Sequence, residues 1–175
     1  MGNFVSCDDL RWDMGAEFSV QTVGVAKSGS EALGKAGSAV YHAWQDQVLR
    51  YQKVKPPKHG AVWLTYYPGV MVEWYPNVLV VSTLIPKGPR KTTNIVEFFY
   101  PEEIHAFERE YVEAQQAAYM ETCIEDDEIA LRMDAGREAL MKRGDNEVGP
   151  YQSPMEDGMQ HFHEWYRRKM ERVEG

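Results

Sequence analysis

Polar and apolar residues alternate at period two from Glu17 to Val23 (EFSVQTV), the pattern of a half-buried strand. Three apolar runs follow: Gly60 to Tyr67 (GAVWLTYY), Val70 to Tyr75 (VMVEWY) and Val78 to Ile85 (VLVVSTLI). Pro68-Gly69 and Pro76-Asn77 separate them and read as turns. Pro86-Lys87-Gly88-Pro89 predicts a longer turn, and Lys91 to Tyr100 a further strand. Short strands with tight connections predict an antiparallel meander. Several are apolar on both faces, so helix is expected on one side of the sheet and a second cover on the other. Upstream of the runs, Ala43 to Tyr51 predicts a short helix or lid segment, stopped by Pro56-Pro57. The Gly- and Ser-rich stretch 24–39 reads as a surface loop or a poorly ordered insertion.

After Pro101 the period changes. Phe107, Tyr111, Ala114, Ala118, Ile129, Met133 and Leu140 recur at helical spacing, predicting helix from Glu102 to about Lys142 with a break near its middle. Glu102 and Glu103 suit its first turn, and Gly144 suits its stop. A loop to Ser153 follows, and Pro154 leads into a last helix, about Met155 to Val173. Strands followed by long helices, rather than alternating units, give an α+β class.

Composition sharpens this. A chain of 175 residues suits a single domain, 1–175, or one large domain cut short, and a compact chain of this size buries roughly 70% of its unfolded surface without staples. A net charge of −8 argues against a nucleic-acid partner, which needs a basic face; Lys53, Lys55 and Lys58 come nearest to one. Cys7 and Cys123 form neither a Cys-x-x-Cys motif nor a zinc spacing, as expected for reduced thiols in a cytoplasmic protein. No apolar stretch approaches the roughly 20 residues of a membrane span. The start, Met-Gly-Asn-Phe-Val-Ser, matches a myristoylation pattern only weakly, and no signal peptide is visible.

Candidate chemistry is sparse. Glu125-Asp126-Asp127-Glu128 lies in the predicted helix, where four successive side chains point in four directions, so at least one should look toward the core or a pocket. Asp126 shares a side with Met133 and Leu140, and Asp127 with Met120 and Leu131; periodicity does not choose between them. His161-Phe162-His163 would suit a metal on a strand, but on a helix residues two apart diverge. His42, His59 and His105 stand alone, without partner spacing. No Gly-rich phosphate loop or nucleophile elbow is present.

Several groups in fixed order carry a resemblance. They are Glu125-Asp126, Asp134-x-Gly136, Gly149-Pro150-Tyr151-x-Ser153-Pro154-Met155-Glu156-Asp157, and His161-Phe162-His163-x-Trp165. This region resembles the C-terminal catalytic domain of the alpha subunit of Rieske-type non-haem iron aromatic-ring-hydroxylating oxygenases. The meander, with Trp63 and its proline turns, and Leu10-Arg11-Trp12 ahead of the first strand, look like the family's sheet. The resemblance implies a helix-grip fold: a curved antiparallel sheet wrapped around a long C-terminal helix, with a substrate pocket between. It implies a mononuclear Fe(II) held by two His and one carboxylate. In the family the carboxylate's Asp precedes a Gln by eight positions and a Gly by ten. Measured from Asp126 these are Asp134 and Gly136, so the Gly fits and the Gln is replaced. Asp126 therefore maps to the metal ligand, with Asp127 as the fallback.

The departures shape the functional expectation. The family's Asp-x2-His-x4-His iron motif is missing, and two cysteines cannot build the [2Fe–2S] cluster of the N-terminal Rieske domain. The expectation is a partial catalytic domain lacking the Rieske domain, inactive alone as an oxygenase. By resemblance its partners are a small aromatic or apolar substrate, dioxygen and an electron-transfer protein, commonly in a homotrimer. Two alternatives are a non-catalytic helix-grip module binding a small apolar or aromatic ligand, and an assembly partner completing a full-length alpha subunit.

Overall fold

The computed structural model describes residues 6–24, 38–51, 61–145 and 148–171, with side chains from Leu10 onward. The lysines at 53, 55 and 58, His59, Pro56-Pro57, the Cys7 side chain and most of the Gly/Ser stretch lie outside the described residues.

Among the described residues six strands form one antiparallel sheet in sequence order: β1 (Ser6–Met14), β2 (Phe18–Gly24), β3 (Ala61–Tyr66), β4 (Val70–Tyr75), β5 (Val78–Gly88) and β6 (Lys91–Phe99). The helices are α1 (Ala39–Tyr51), α2 (Glu102–Phe107), α3 (Arg109–Lys142) and α4 (Asp157–Glu171). The α+β helix-grip expectation holds.

Four local expectations are corrected. Leu10-Arg11-Trp12 does not merely lead into the sheet but belongs to its first strand, β1. The stretch Pro86 to Gly88 continues β5, paired to β6 across a register shift, leaving only Pro89-Arg90 as the turn. The helix break falls at Glu108, between α2 and α3, and α3 then runs 34 residues unbroken. The last helix starts at Asp157, after a turn over Ser153 to Glu156. Gly144, with φ +72°, ends α3: its amide donates to the Met141 carbonyl and that of Asp145 to the Leu140 carbonyl.

The pleat assigns side chains to faces. Trp63, Glu73, Val80 and Phe98 are aligned across four strands and share one face. Every helix that touches the sheet does so on this face. Phe98 meets Tyr119 of α3 edge-on at 5.2 Å, and Val23, Ala61, Tyr75, Val78 and Val80 are buried beneath. A second cluster joins the helices: Tyr41, Trp44 and Val48 of α1, Ile104 of α2, and Tyr111 and Ala118 of α3. The other face leaves Tyr66, Trp74, Ile95 and Phe99 exposed, so no second cover lies over it among the described residues. The distal half of α3 is also exposed, including Ile129 and Met133. Arg90 at the β5–β6 turn ties that half down through Asp134 at 3.2 Å and Glu138 at 3.1 Å.

The helix α4 crosses β1 and β2 on the covered face. Trp12 Nε1 donates to the Pro154 carbonyl at 2.7 Å, and Lys169 pairs with Glu17 at 2.8 Å. Gly158 lies against the Trp12 ring, where an added Cβ would come within 2.2 Å of it. Gly158→Ala is therefore expected to lower stability by about 1–3 kcal/mol, as overpacking does. That exceeds the gain of at most about 1 kcal/mol from better helix propensity. A thermal melt tests this; an unchanged midpoint would mean α4 is not seated on Trp12.

Candidate functional site

Three elements enclose a cavity of about 100 Å³ between the sheet and the helices. Strand alternation turns both Glu73 and Tyr75 of β4 toward it. On α3, Gln115, Ala118, Tyr119, Thr122, Cys123 and Asp126 fall on one helical stripe and form the opposite wall. Tyr41 and Trp44, one turn apart on α1, close the side.

A hydrogen-bonded chain crosses the floor. Trp63 Nε1 donates to the Tyr75 hydroxyl at 3.0 Å, and that hydroxyl donates to Glu73 Oε2 at 2.5 Å. The Tyr119 hydroxyl donates to Glu73 Oε1 at 2.8 Å. Two phenols from two elements thus aim one carboxylate. On the α1 side the Tyr41 hydroxyl bonds Thr122 Oγ1, which in turn donates to the Ala118 carbonyl at 3.2 Å.

Burial dominates the electrostatics. It pushes the Tyr75 phenol well above its ordinary range, with the charge of Glu73 adding to the effect, and pushes up Tyr119. Both stay protonated donors at neutral pH. Burial also raises the Cys123 thiol, and the charges of Glu73, Asp126 and Asp127 act in the same direction. The thiol is therefore a weak nucleophile rather than an activated one. Among the described residues no Lys, Arg or His lines the cavity, and the two charged side chains that do, Glu73 and Asp126, are both acidic.

All four residues of the acidic run are exposed, but Asp126 sits at the cavity rim and Asp127 does not line it. Glu128 pairs with Arg132 on the outer surface of α3. Asp134, which stands where the family has Gln, serves the Arg90 pair. His161 and His163 part company as helix geometry requires. His161 Nε2 bonds the Gly15 carbonyl at 2.8 Å, and His163 Nδ1 meets the Tyr151 hydroxyl at 2.7 Å. His42 and His105 are exposed. Among the described residues, no three His, Cys, Asp or Glu side chains come together as a metal site. A facial triad needs one carboxylate and two imidazoles; the cavity rim has the Asp126 carboxylate, and among the described residues no histidine lines the cavity.

Glu73, Tyr75 and Tyr119 did not emerge from sequence motifs. The signal was present for Glu73: it is the one charge in an otherwise apolar strand, VMVEWY, and a half-buried charge needs partners. A second cavity of about 210 Å³ lies toward α4, lined by Trp12, Gln21, Trp63, Tyr67 and Phe162 among others, and among the described residues no carboxylate or imidazole lines it.

The sequence matches the family model for the ring hydroxylating alpha subunit (catalytic domain) over residues 2–172. The chain belongs to this family. Two relatives are similar along nearly all of it. A putrescine 2-hydroxylase of Ralstonia nicotianae is 70% identical over 98% of this chain and 46% of its own length. A putrescine 2-hydroxylase of Bordetella bronchiseptica is 63% identical over 99% of this chain and 40% of its own length. The chain thus spans less than half the length of these curated relatives. The family is one of oxidoreductases, and the α3–β4 cavity lies between the sheet and the long helix. No helix among the described residues is long and apolar enough to cross a membrane.

Proposed function

We propose that this chain is the catalytic-domain portion of an oxygenase that hydroxylates a short aliphatic diamine, putrescine or a close analogue, rather than an arene. The observation that carries this reading is the sign of the cavity. Among the described residues its wall bears Glu73 and Asp126, aromatic rings and no cation. An alkyl amine is an ammonium at neutral pH, as a lysine is. Carboxylates pair with such a charge and aromatic faces attract it, whereas a neutral arene gains from the rings alone and leaves the carboxylates without a counter-charge. The names of the two relatives point the same way.

In this reading Asp126 supplies the carboxylate ligand of a mononuclear Fe(II), and residues 1–175 form one partial catalytic domain. The two imidazoles and the [2Fe–2S] Rieske domain belong to the part of the protein that corresponds to the unmatched length of the relatives. The iron, when bound, supplies oxygen activation. An electron-transfer protein and trimeric assembly complete the reading.

The test replaces the matching segment of the Ralstonia relative with this chain. The hybrid is expected to bind iron and hydroxylate putrescine. Asp126→Ala should abolish both, and Asp127→Ala should preserve both. Loss of iron with Asp127→Ala alone would move the ligand, and hydroxylation of toluene in place of putrescine would overturn the substrate class. Saturable toluene binding to the unmodified chain without metal, with none of putrescine, would favour a non-catalytic ligand-binding module instead.

A further inference from the structure

We propose that Glu73 is the specificity-determining residue of this pocket: its carboxylate holds one ammonium of the substrate and so selects amines against neutral molecules of the same size. This inference rests on the diamine reading above and adds the residue that enforces it.

An ammonium taken out of water is costly unless it is paired and hydrogen-bonded. Glu73 is half-buried in the cavity wall, and each of its oxygens already accepts one phenol, from Tyr75 at 2.5 Å and from Tyr119 at 2.8 Å. An ionised carboxylate offers about four lone-pair positions, so two remain for a ligand. The two phenols come from β4 and α3, and Trp63 in turn fixes the Tyr75 hydroxyl. The carboxylate is thus aimed before any ligand arrives, which lowers the cost of ordering it on binding. Among the described residues the lining includes no Lys, Arg or His to neutralise it. Tyr41 and Trp44 face the same space and can present ring surface to the cation.

The position also fits a short chain. Tyr119, which holds Glu73, precedes Asp126 by seven residues on the unbroken helix α3, about 10 Å of axial rise. A diamine held at Glu73 extends its methylenes along the helix toward Asp126. A neutral ligand in the same place would leave Glu73 desolvated without a counter-charge, which is a penalty against the wrong substrate.

Calorimetric titration of the 175-residue chain tests this with putrescine, 1-butylamine and 1-butanol. The unmodified chain is expected to bind both amines and not the alcohol. Glu73→Gln should weaken both amines at least tenfold, whereas Glu128→Gln, the same change on the outer surface of α3, should alter neither. If the unmodified chain binds no amine, the diamine reading itself fails. If it binds amines and Glu73→Gln binds them equally well, only the assignment of Glu73 fails. Should Glu73→Gln not fold, Tyr119→Phe keeps the carboxylate but releases its aim. That variant should weaken the amines several-fold, and unchanged affinity would overturn the proposal.

Discussion

Tyr111→Ala is expected to lower the stability of this chain by about 3–5 kcal/mol, the range for removing a buried aromatic side chain. For a protein of this size that is a fall in melting temperature on the order of 10 °C. Tyr111 is the largest of the fully buried side chains, 1% exposed, and it sits at the start of α3. Its ring packs edge-on against Tyr51 of α1 at 5.9 Å, and its hydroxyl donates to the Pro76 carbonyl at 2.7 Å in the β4–β5 turn. One side chain thus joins α1, α3 and the sheet. Tyr111→Phe separates the two contributions. It keeps the packing and leaves the buried carbonyl without its donor, at about 1–3 kcal/mol. Denaturant melts followed by circular dichroism measure both. Equal losses for the two variants would mean that the hydrogen bond, not the ring, carries the effect. The consequence reaches the cavity, because Tyr111 sets where Gln115, Tyr119 and Asp126 fall along β4. In Tyr111→Ala, amine binding is expected to weaken even where the chain remains folded.

Alkaline pH should unfold the chain steeply above pH 10. Burial pushes up the phenols of Tyr41, Tyr75, Tyr111 and Tyr119, and that of Tyr100 to about 12. An unfolded tyrosine titrates near 10. Below that value both states hold the proton and the stabilisation is complete. Above it the unfolded chain releases protons that the folded chain retains. Each pH unit then removes about 1.4 kcal/mol per group, until the folded phenol also titrates. Tyr75 and Tyr111 alone, both buried, remove about 2.7 kcal/mol per pH unit. Against a total of about 5–15 kcal/mol this brings unfolding within one to a few pH units. Phenolate absorbance and circular dichroism should change together. If all ten tyrosines ionise smoothly near pH 10 while the dichroism is unchanged, the phenols are not held as described.

The element types were legible because their signals are local. Val70 to Tyr75 was readable to the residue, since turns at Pro68-Gly69 and Pro76-Asn77 frame an apolar run. Asn77 adopts φ 62°, a conformation that asparagine tolerates well. The errors also have local causes. Pro86 and Pro89 read as turn residues, yet β5 runs through the first of them. The break in the long helix had no strong signature at Glu108, whereas the middle, where the break was expected, is continuous helix. Apolar spacing at Ile129 and Met133 indicated helix correctly but not burial, because those side chains are exposed to solvent.

The candidate site was half legible. The order of Asp126 and Gly136 along the chain, with the His-Phe-His helix, was enough to identify the family. Helical periodicity alone left Asp126 and Asp127 equivalent, since both lie near apolar positions. Only the tertiary structure separates them, by laying one stripe of α3 against β4 so that Asp126 reaches the cavity rim. Glu73 is the sharper case. Its sequence neighbours say strand, and nothing within ten residues says site. Its partner Tyr119 lies 46 residues away, and the two meet because an antiparallel sheet curls around a helix that follows it in the chain. The sequence by itself determined the strands, the helices and the family, since hydrophobic period and motif order are properties of neighbouring residues. The negative, aromatic character of the pocket was decided only in three dimensions, since it depends on which faces of β4, α1 and α3 are brought together.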